Sequence, residues 1–279
     1  MPRKYITYLS ASIISLTLAI NQPTKTAAKL LEDIASFSID SAKVTLHEPV
    51  LINFVVKNTQ SETIKFDLGA DRKESFRVTL TLPDGTRTKP RQQVISGFAR
   101  GGEVTIPPGQ IFTQQVLINE WFEFPVPGVY IVKVEMITPI LSQRGQVITG
   151  SASRTFSIQV LPRDPKALEE ICKNLLDQVI TSTSYAQAAE RATILSFIND
   201  PVAVPYLERV SKGGRKLELK AVKGLARINS LEAIEALINL LTFHDPDVVA
   251  AAHSSLSKIE LETKDQAIKE RINRALKSR

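Results

Sequence analysis

Between residues 36 and 160 the apolar positions recur every second residue; beyond residue 165 they recur every three to four. In the first stretch Val44, Leu46, Val50, Ile52, Phe54 and Val56 alternate with Thr45, Leu51, Asn53 and Val55. The run stops at Asn58-Thr59-Gln60-Ser61, a cluster of turn formers. Further strands are predicted over Thr63–Leu68, Ser75–Leu82, Ile111–Ile118, Val129–Met136 and Arg154–Leu161. Leu82-Pro83-Asp84-Gly85-Thr86 predicts a hairpin, because proline presets one dihedral and Asp-Gly accepts positive φ. Strands at this spacing, with no helical pattern between them, predict an antiparallel β-sandwich.

Pro162-Arg163-Asp164-Pro165 marks a change of period, so a linker is placed at 162–164. After it, Leu168, Ile171, Cys172, Leu175, Leu176 and Val179 form one face of a helix. An internal repeat follows. Leu195 and Ile198 return as Leu225 and Ile228, then as Leu256 and Ile259; Val204, Leu207 and Val210 return as Ile234, Leu237 and Leu240. Asp164-Pro165, Asp200-Pro201 and Asp245-Pro246 each combine an N-cap with a proline fit for the first helical position. Three helix pairs are predicted, over 165–198, 200–228 and 230–259, with a closing helix over 263–277. Neither helix of a pair could bury its apolar stripe alone, so the units must stack as a solenoid. The proline-bracketed linker predicts that the two halves unfold independently.

Glu48-Pro49-Val50-Leu51-Ile52-Asn53-Phe54-Val55-Val56-Lys57-Asn58, Ile106-Pro107-Pro108-Gly109-Gln110 and Pro127-Gly128-Val129-Tyr130-Ile131-Val132-Lys133-Val134 resemble strands of bacterial immunoglobulin-like domains. The arrangement is also similar to the intracellular proteinase inhibitor domain. The resemblance covers about residues 36–161 and names no ligand; it implies an immunoglobulin-like sandwich, whose domain is placed over 29–161. The segments Leu217–Ile228 and Val248–Ile259 resemble the second helix of HEAT repeats, of the short type shared with phycobilisome lyases. The arginine of that pattern is replaced by Glu218 and Val249, and no chromophore-handling residue can be matched. The implied fold over 165–279 is a HEAT-like α-solenoid.

Charge and composition narrow the function. The formal net charge is +6, but residues 1–28 carry three bases and no acid, leaving +1 over 29–162 and +2 over 163–279. That balance gives no general argument for nucleic acid. Arg3 and Lys4 followed by the uncharged stretch Ile6–Ile20 read as an export signal over 1–28, with membrane anchoring by the same segment as the alternative. Export to the periplasm or beyond the cell is therefore expected. A single cysteine, Cys172, excludes an intrachain disulfide, and its place on an apolar helix face reads as core. His47, His244 and His253 have no metal-like spacing, and His253 is expected half-buried between helices. No nucleophile elbow or phosphate loop is present, so neither catalysis, cofactor nor metal is expected.

Two constellations remain as candidate binding residues. Trp121-Phe122-Glu123-Phe124 concentrates the sole tryptophan with two phenylalanines; it reads as a plug closing the sandwich or, as the sharper alternative, an aromatic anchor for a partner. Between Arg209 and Arg227 stand seven bases and one acid. Lys216, Lys220, Lys223 and Arg227 are spaced to share one stripe of a helix. That stripe reads as a solvated face or as a dock for an acidic protein partner, with a membrane surface less favoured. The absence of interleaved aromatics argues against single-stranded nucleic acid. The expected function is an exported, non-enzymatic protein-binding adaptor or scaffold; the alternative is an inhibitor-like or enzyme-accessory protein acting through the sandwich.

Overall fold

The computed structural model describes residues 31–69, 72–90, 102–214 and 216–277, and the proposed export signal lies outside them. A β-rich region comes first. Its elements are α1 (Leu31–Ile34), β1 (Ala35–Ser38), β2 (Lys43–Thr45), β3 (Leu51–Lys57), β4 (Ile64–Asp67), β5 (Phe76–Thr81), β6 (Arg87–Thr88), β7 (Glu103–Ile106), β8 (Ile111–Leu117), β9 (Gly128–Met136), β10 (Leu141–Ser142) and β11 (Ser153–Leu161). The helical region follows as α2 (Pro165–Thr181), α3 (Tyr185–Leu195), α4 (Val204–Ser211), α5 (Glu218–Ile228), α6 (Leu231–Leu240), α7 (Pro246–Glu262) and α8 (Gln266–Lys277).

The strands form a five-stranded sheet, β2-β11-β9-β5-β6, and two three-stranded sheets, β1-β3-β8 and β10-β4-β7. Pairing is antiparallel except between β2 and β11, which run parallel, a departure from the all-antiparallel expectation. Asn58 joins the two small sheets. Its backbone extends the β3–β8 ladder through Gln110 and Gly109, while its side-chain amide donates to the carbonyls of Glu62 and Ile106 at 2.9 and 2.8 Å. A buried amide so fully satisfied fixes where the chain passes from one sheet to the next. Across the shared core, Phe54 of β3 meets Phe76 of β5 edge-on at 5.0 Å, and Phe37 of β1 meets Phe76 at 6.0 Å. The Pro83–Gly85 hairpin forms as the sequence predicts, with Gly85 at φ 84° between β5 and β6.

All three Asp-Pro pairs start helical turns. Asp164 accepts from the amides of Lys166 and Ala167, Asp200 from Val202, and Asp245 from Asp247. Each side chain satisfies donors that a helix start leaves open. The apolar stripes stack into one helical core containing Leu168, Cys172, Leu195, Leu207, Leu225, Leu237 and Leu256. Gly224 permits a close approach of α5 to its neighbours: a Cβ there would lie 2.9 Å from Leu207 Cδ1 and 3.0 Å from Ser196 Cα. His253 is exposed rather than half-buried, because the inward position of that turn of α7 is taken by Ala252.

The two regions are not insulated by the linker. Leu117 of β8 is 1% exposed and belongs to the helical core, with Leu51 of β3 packed beside it. Gln114 donates to the Glu190 carboxylate at 2.8 Å, and Arg191 donates to the Gln115 side-chain oxygen. Thr45 clamps the linker from both ends: its hydroxyl donates to the Pro162 carbonyl and accepts from the Asp164 amide, both at 2.8 Å.

Candidate functional site

The junction leaves a cleft of about 270 Å³ between the β region and the helices. Thr45, His47 and Glu48 form one wall, Phe122, Glu123 and Phe124 another, and Phe197, Asn199 and Arg227 the helical side. His47 sits in the tight turn after β2 with φ 74°, a conformation that costs a non-glycine residue about 1–3 kcal/mol and is over-represented at functional sites. The turn is held by the Glu48 carboxylate, which accepts from the Thr45 amide at 2.8 Å. Burial pushes the Glu48 carboxyl above its ordinary value, against the pull of that amide. Burial also pushes the His47 imidazole down; the nearby Asp200 opposes this and Arg163 reinforces it. The cleft therefore favours a neutral ring at His47.

Arg227 reaches the cleft from the last turn of α5. Its guanidinium lies 3.9 Å from the centre of the Phe197 ring and donates to the Ser196 carbonyl at 3.0 Å. A planar cation on an aromatic face is held in one orientation, which lysine would not achieve. Lys220 donates to the Thr193 hydroxyl at 2.7 Å, across to α3. Lys223 is exposed on α5. Lys216 stands before the first turn of α5 at φ 59° and is off the helix altogether. Lys220, Lys223 and Arg227 thus lie on α5 at the expected spacing, while Lys216 does not join them, because the helix begins at Glu218.

The aromatic segment also falls out differently from an exposed anchor. Trp121, Phe122 and Phe124 are buried in the core of the β region. Lys73 Nζ lies 5.8 Å from the Trp121 ring centre, and Phe124 packs edge-on to Tyr130 at 5.1 Å. Only the flanks of Phe122 and Phe124 reach the cleft. Phe122 and Arg227, read from the sequence as members of two unrelated candidates, line the same cavity. His47, Glu48 and Asn199 were missed. The available signal was the pair of apolar residues Val116-Leu117 side by side in a strand, which marks a strand covered on both faces and so an interface.

Cys172 lies wholly inside the helical core, where burial, then Asp200 and Glu169, push its thiol up to about 12. It is a packing residue rather than a nucleophile. Among the described residues no group of three or more His, Cys, Asp or Glu side chains is placed to hold a metal, and no helix is long and apolar enough to cross a membrane. The cleft offers hydrogen-bond donors, two carboxylates and aromatic surface, a lining suited to gripping a polar or peptidic group.

A family model described as the N-terminal domain of flagellar collar protein C matches residues 38–161, and a HEAT-repeat model matches residues 210–278. Comparison with curated proteins finds no match. Among solved structures the chain is similar to the sporulation control protein Spo0M of Bacillus subtilis, at 16% identity over 51% of this chain and 56% of that one, with a TM-score of 0.25. It is also similar to a PapD-like domain of human CEP192, at 8% identity over 58% of this chain and 100% of that one, with a TM-score of 0.27. A third likeness is to BslA, described as a bacterial hydrophobin, at 14% identity over 47% and 95%, with a TM-score of 0.19. The chain spans little more than half the length of the Bacillus protein. At such TM-scores these superpositions carry no argument about what the chain does.

Proposed function

We propose that the chain is an exported, non-enzymatic adaptor that binds protein partners, with an immunoglobulin-like β-sandwich and a HEAT-like solenoid held at a fixed mutual angle. The observation that carries the reading is the junction. A HEAT-repeat-like region suits protein interaction, and here the linker and helices that lead into it are joined to the β region through Leu117, the Thr45 clamp and the Gln115–Arg191 bond. A rigid junction lets two surfaces meet one partner without the entropy cost of ordering a linker. The match of residues 38–161 to a family named for a flagellar collar protein supports an assembly role over a metabolic one. Arg3, Lys4 and the apolar stretch Ile6–Ile20 support export.

The test is site-directed cross-linking of the full chain in its own cells, with photoreactive side chains at Asn199 in the cleft and Lys223 on α5. Discrete protein adducts are expected from at least one position. Absence of adducts from both sinks the adaptor reading, and a mature protein that retains Met1 by mass spectrometry sinks the export part of it.

A further inference from the structure

A second hollow, of about 340 Å³, opens on the helical region away from the cleft, between the last turn of α2 and the end of α4. Its floor is apolar: Leu176, Val179, Val210 and Leu217 are buried there, and Ile180 on its lip is 51% exposed. The charged residues lining it, Arg209 and Lys212, are both basic. Lys216, exposed and next to Leu217, adds a third cation. Its carbonyl accepts from the hydroxyl of Tyr185, a ring 60% exposed. Among the described residues none of these three cations pairs with a carboxylate. The carbonyl end of α4 and the uncapped amide end of α5 meet here with opposite partial charges of about half a unit, so the three full cations set the sign of the field. Of the seven bases counted between Arg209 and Arg227, those at this hollow have solvent-facing charge and apolar surface side by side; Lys220 and Arg227 are engaged with α3 and Phe197.

We infer that this hollow is the docking site for an acidic peptide segment, which inserts a large apolar side chain over Val179, Val210 and Leu217 and sets its flanking carboxylates against Arg209, Lys212 and Lys216. The inference rests on the protein-binding reading and names the chemistry of the partner. The volume lies at the low end of the range of about 300–1,000 Å³ typical of ligand sites, enough for one or two side chains rather than a whole helix face. Charge decides the occupant. The chain's own first 28 residues carry three bases and no acid and are repelled by the rim. An apolar side chain without acidic neighbours leaves the rim unused.

The probe is a fluorescent twelve-residue peptide with Leu-Phe at its centre and Glu and Asp on both sides, titrated by anisotropy against the full chain. Two control peptides replace the acids with Lys or the Leu-Phe pair with Ser-Ser. The acidic Leu-Phe peptide is expected to bind at least tenfold more tightly than either control, and to weaken steeply with salt because exposed charges are screened over about 8 Å at physiological ionic strength. Ile180→Glu and Lys212→Glu, both at exposed positions that leave the core intact, are each expected to weaken it at least tenfold. Lys264→Glu, an equal charge change at an exposed position between α7 and α8, is expected to leave it unchanged. Equal binding of the Ser-Ser peptide, no effect of either hollow variant, or no binding by the folded chain overturns the assignment. So does binding of phosphatidylglycerol vesicles, lost in both variants, without binding of the peptide. If cross-links at Asn199 or Lys223 persist while the peptide fails, only the hollow is wrong; if neither position gives cross-links, the adaptor reading falls with it.

Discussion

Arg163 and Asp200 close the junction with a two-pronged ion pair: the guanidinium Nε and Nη2 donate to the two carboxylate oxygens at 2.5 and 2.9 Å. Asp200 is 1% exposed, and the same carboxylate caps the turn at Pro201 through the Val202 amide. Hydrogen bonding from Arg163 holds its carboxyl below the ordinary value of 3.8, against the cost of burial. One side chain thus ties the linker to the helical region and starts a helical turn.

Two substitutions separate those roles. Asp200→Asn keeps an oxygen for the cap and removes the charge pair; Asp200→Ala removes both. The alanine variant should be the less stable by the worth of an N-cap, about 0.5–2 kcal/mol, read from denaturant midpoints. Equal midpoints for the two variants would show that the cap contributes nothing.

Acid should loosen the cleft. The folded state keeps the His47 imidazole below its ordinary 6.5, so as pH falls the unfolded chain takes up that proton first. The His47 contribution is complete above about pH 6.5 and is lost as pH falls from there through the lower folded value. Asp200 acts at lower pH: its contribution is complete above about 4 and is lost as pH falls through its depressed folded value. Glu48 works in the opposite sense, since burial raises its carboxyl and its protonation favours the folded state. His47→Asn, which tolerates the positive φ, should flatten the fall in thermal stability between about pH 7 and 5. An unchanged slope would contradict the assignment.

Gly224 should resist replacement by alanine. In an isolated helix alanine gains about 1 kcal/mol over glycine. Here its Cβ would meet Leu207 Cδ1 at 2.9 Å and the Ser196 Cα at 3.0 Å, and backbone cannot move aside cheaply. Overpacking of this kind costs about 1–3 kcal/mol, so Gly224→Ala should lower the melting temperature. A rise would mean that the helices are more loosely packed than described.

Most of the fold was legible because it depends on local signals. The period of two set β4, β5, β8, β9 and β11 to within a residue or two, and the end of β3, although it ran β2 and β3 together across the turn at His47; the Asp-Pro pairs located the starts of α2 and α7 and of the turn before α4. The short strands β1, β6, β7 and β10 were not legible: two to four residues hold too few alternations to register. The candidate site was legible only in fragments. Phe122 and Arg227 could be singled out by type, but their meeting depends on how two regions dock, and docking is encoded in apolar residues of the wrong parity. Leu51 and Leu117 occupy outward phases of their strands, and they are outward because helices lie there. The basic stripe loses its first member for a local reason: Lys216 takes a left-handed backbone, so helical spacing does not reach it.

That docking is also the claim on which the adaptor reading stands, and Leu117 tests it most directly. Trp121 is the sole tryptophan and lies in the β region, so its fluorescence reports that half; far-ultraviolet circular dichroism is dominated by the helices. Leu117→Ala removes from the helical core a side chain supplied by a strand, at a cost of about 2–5 kcal/mol. The account predicts that in urea both signals change in one coincident transition, and that the substitution moves both midpoints down together. Two separate transitions, with Leu117→Ala shifting one signal and leaving the other in place, would show that the halves are independent and that the cleft between them is not a built site.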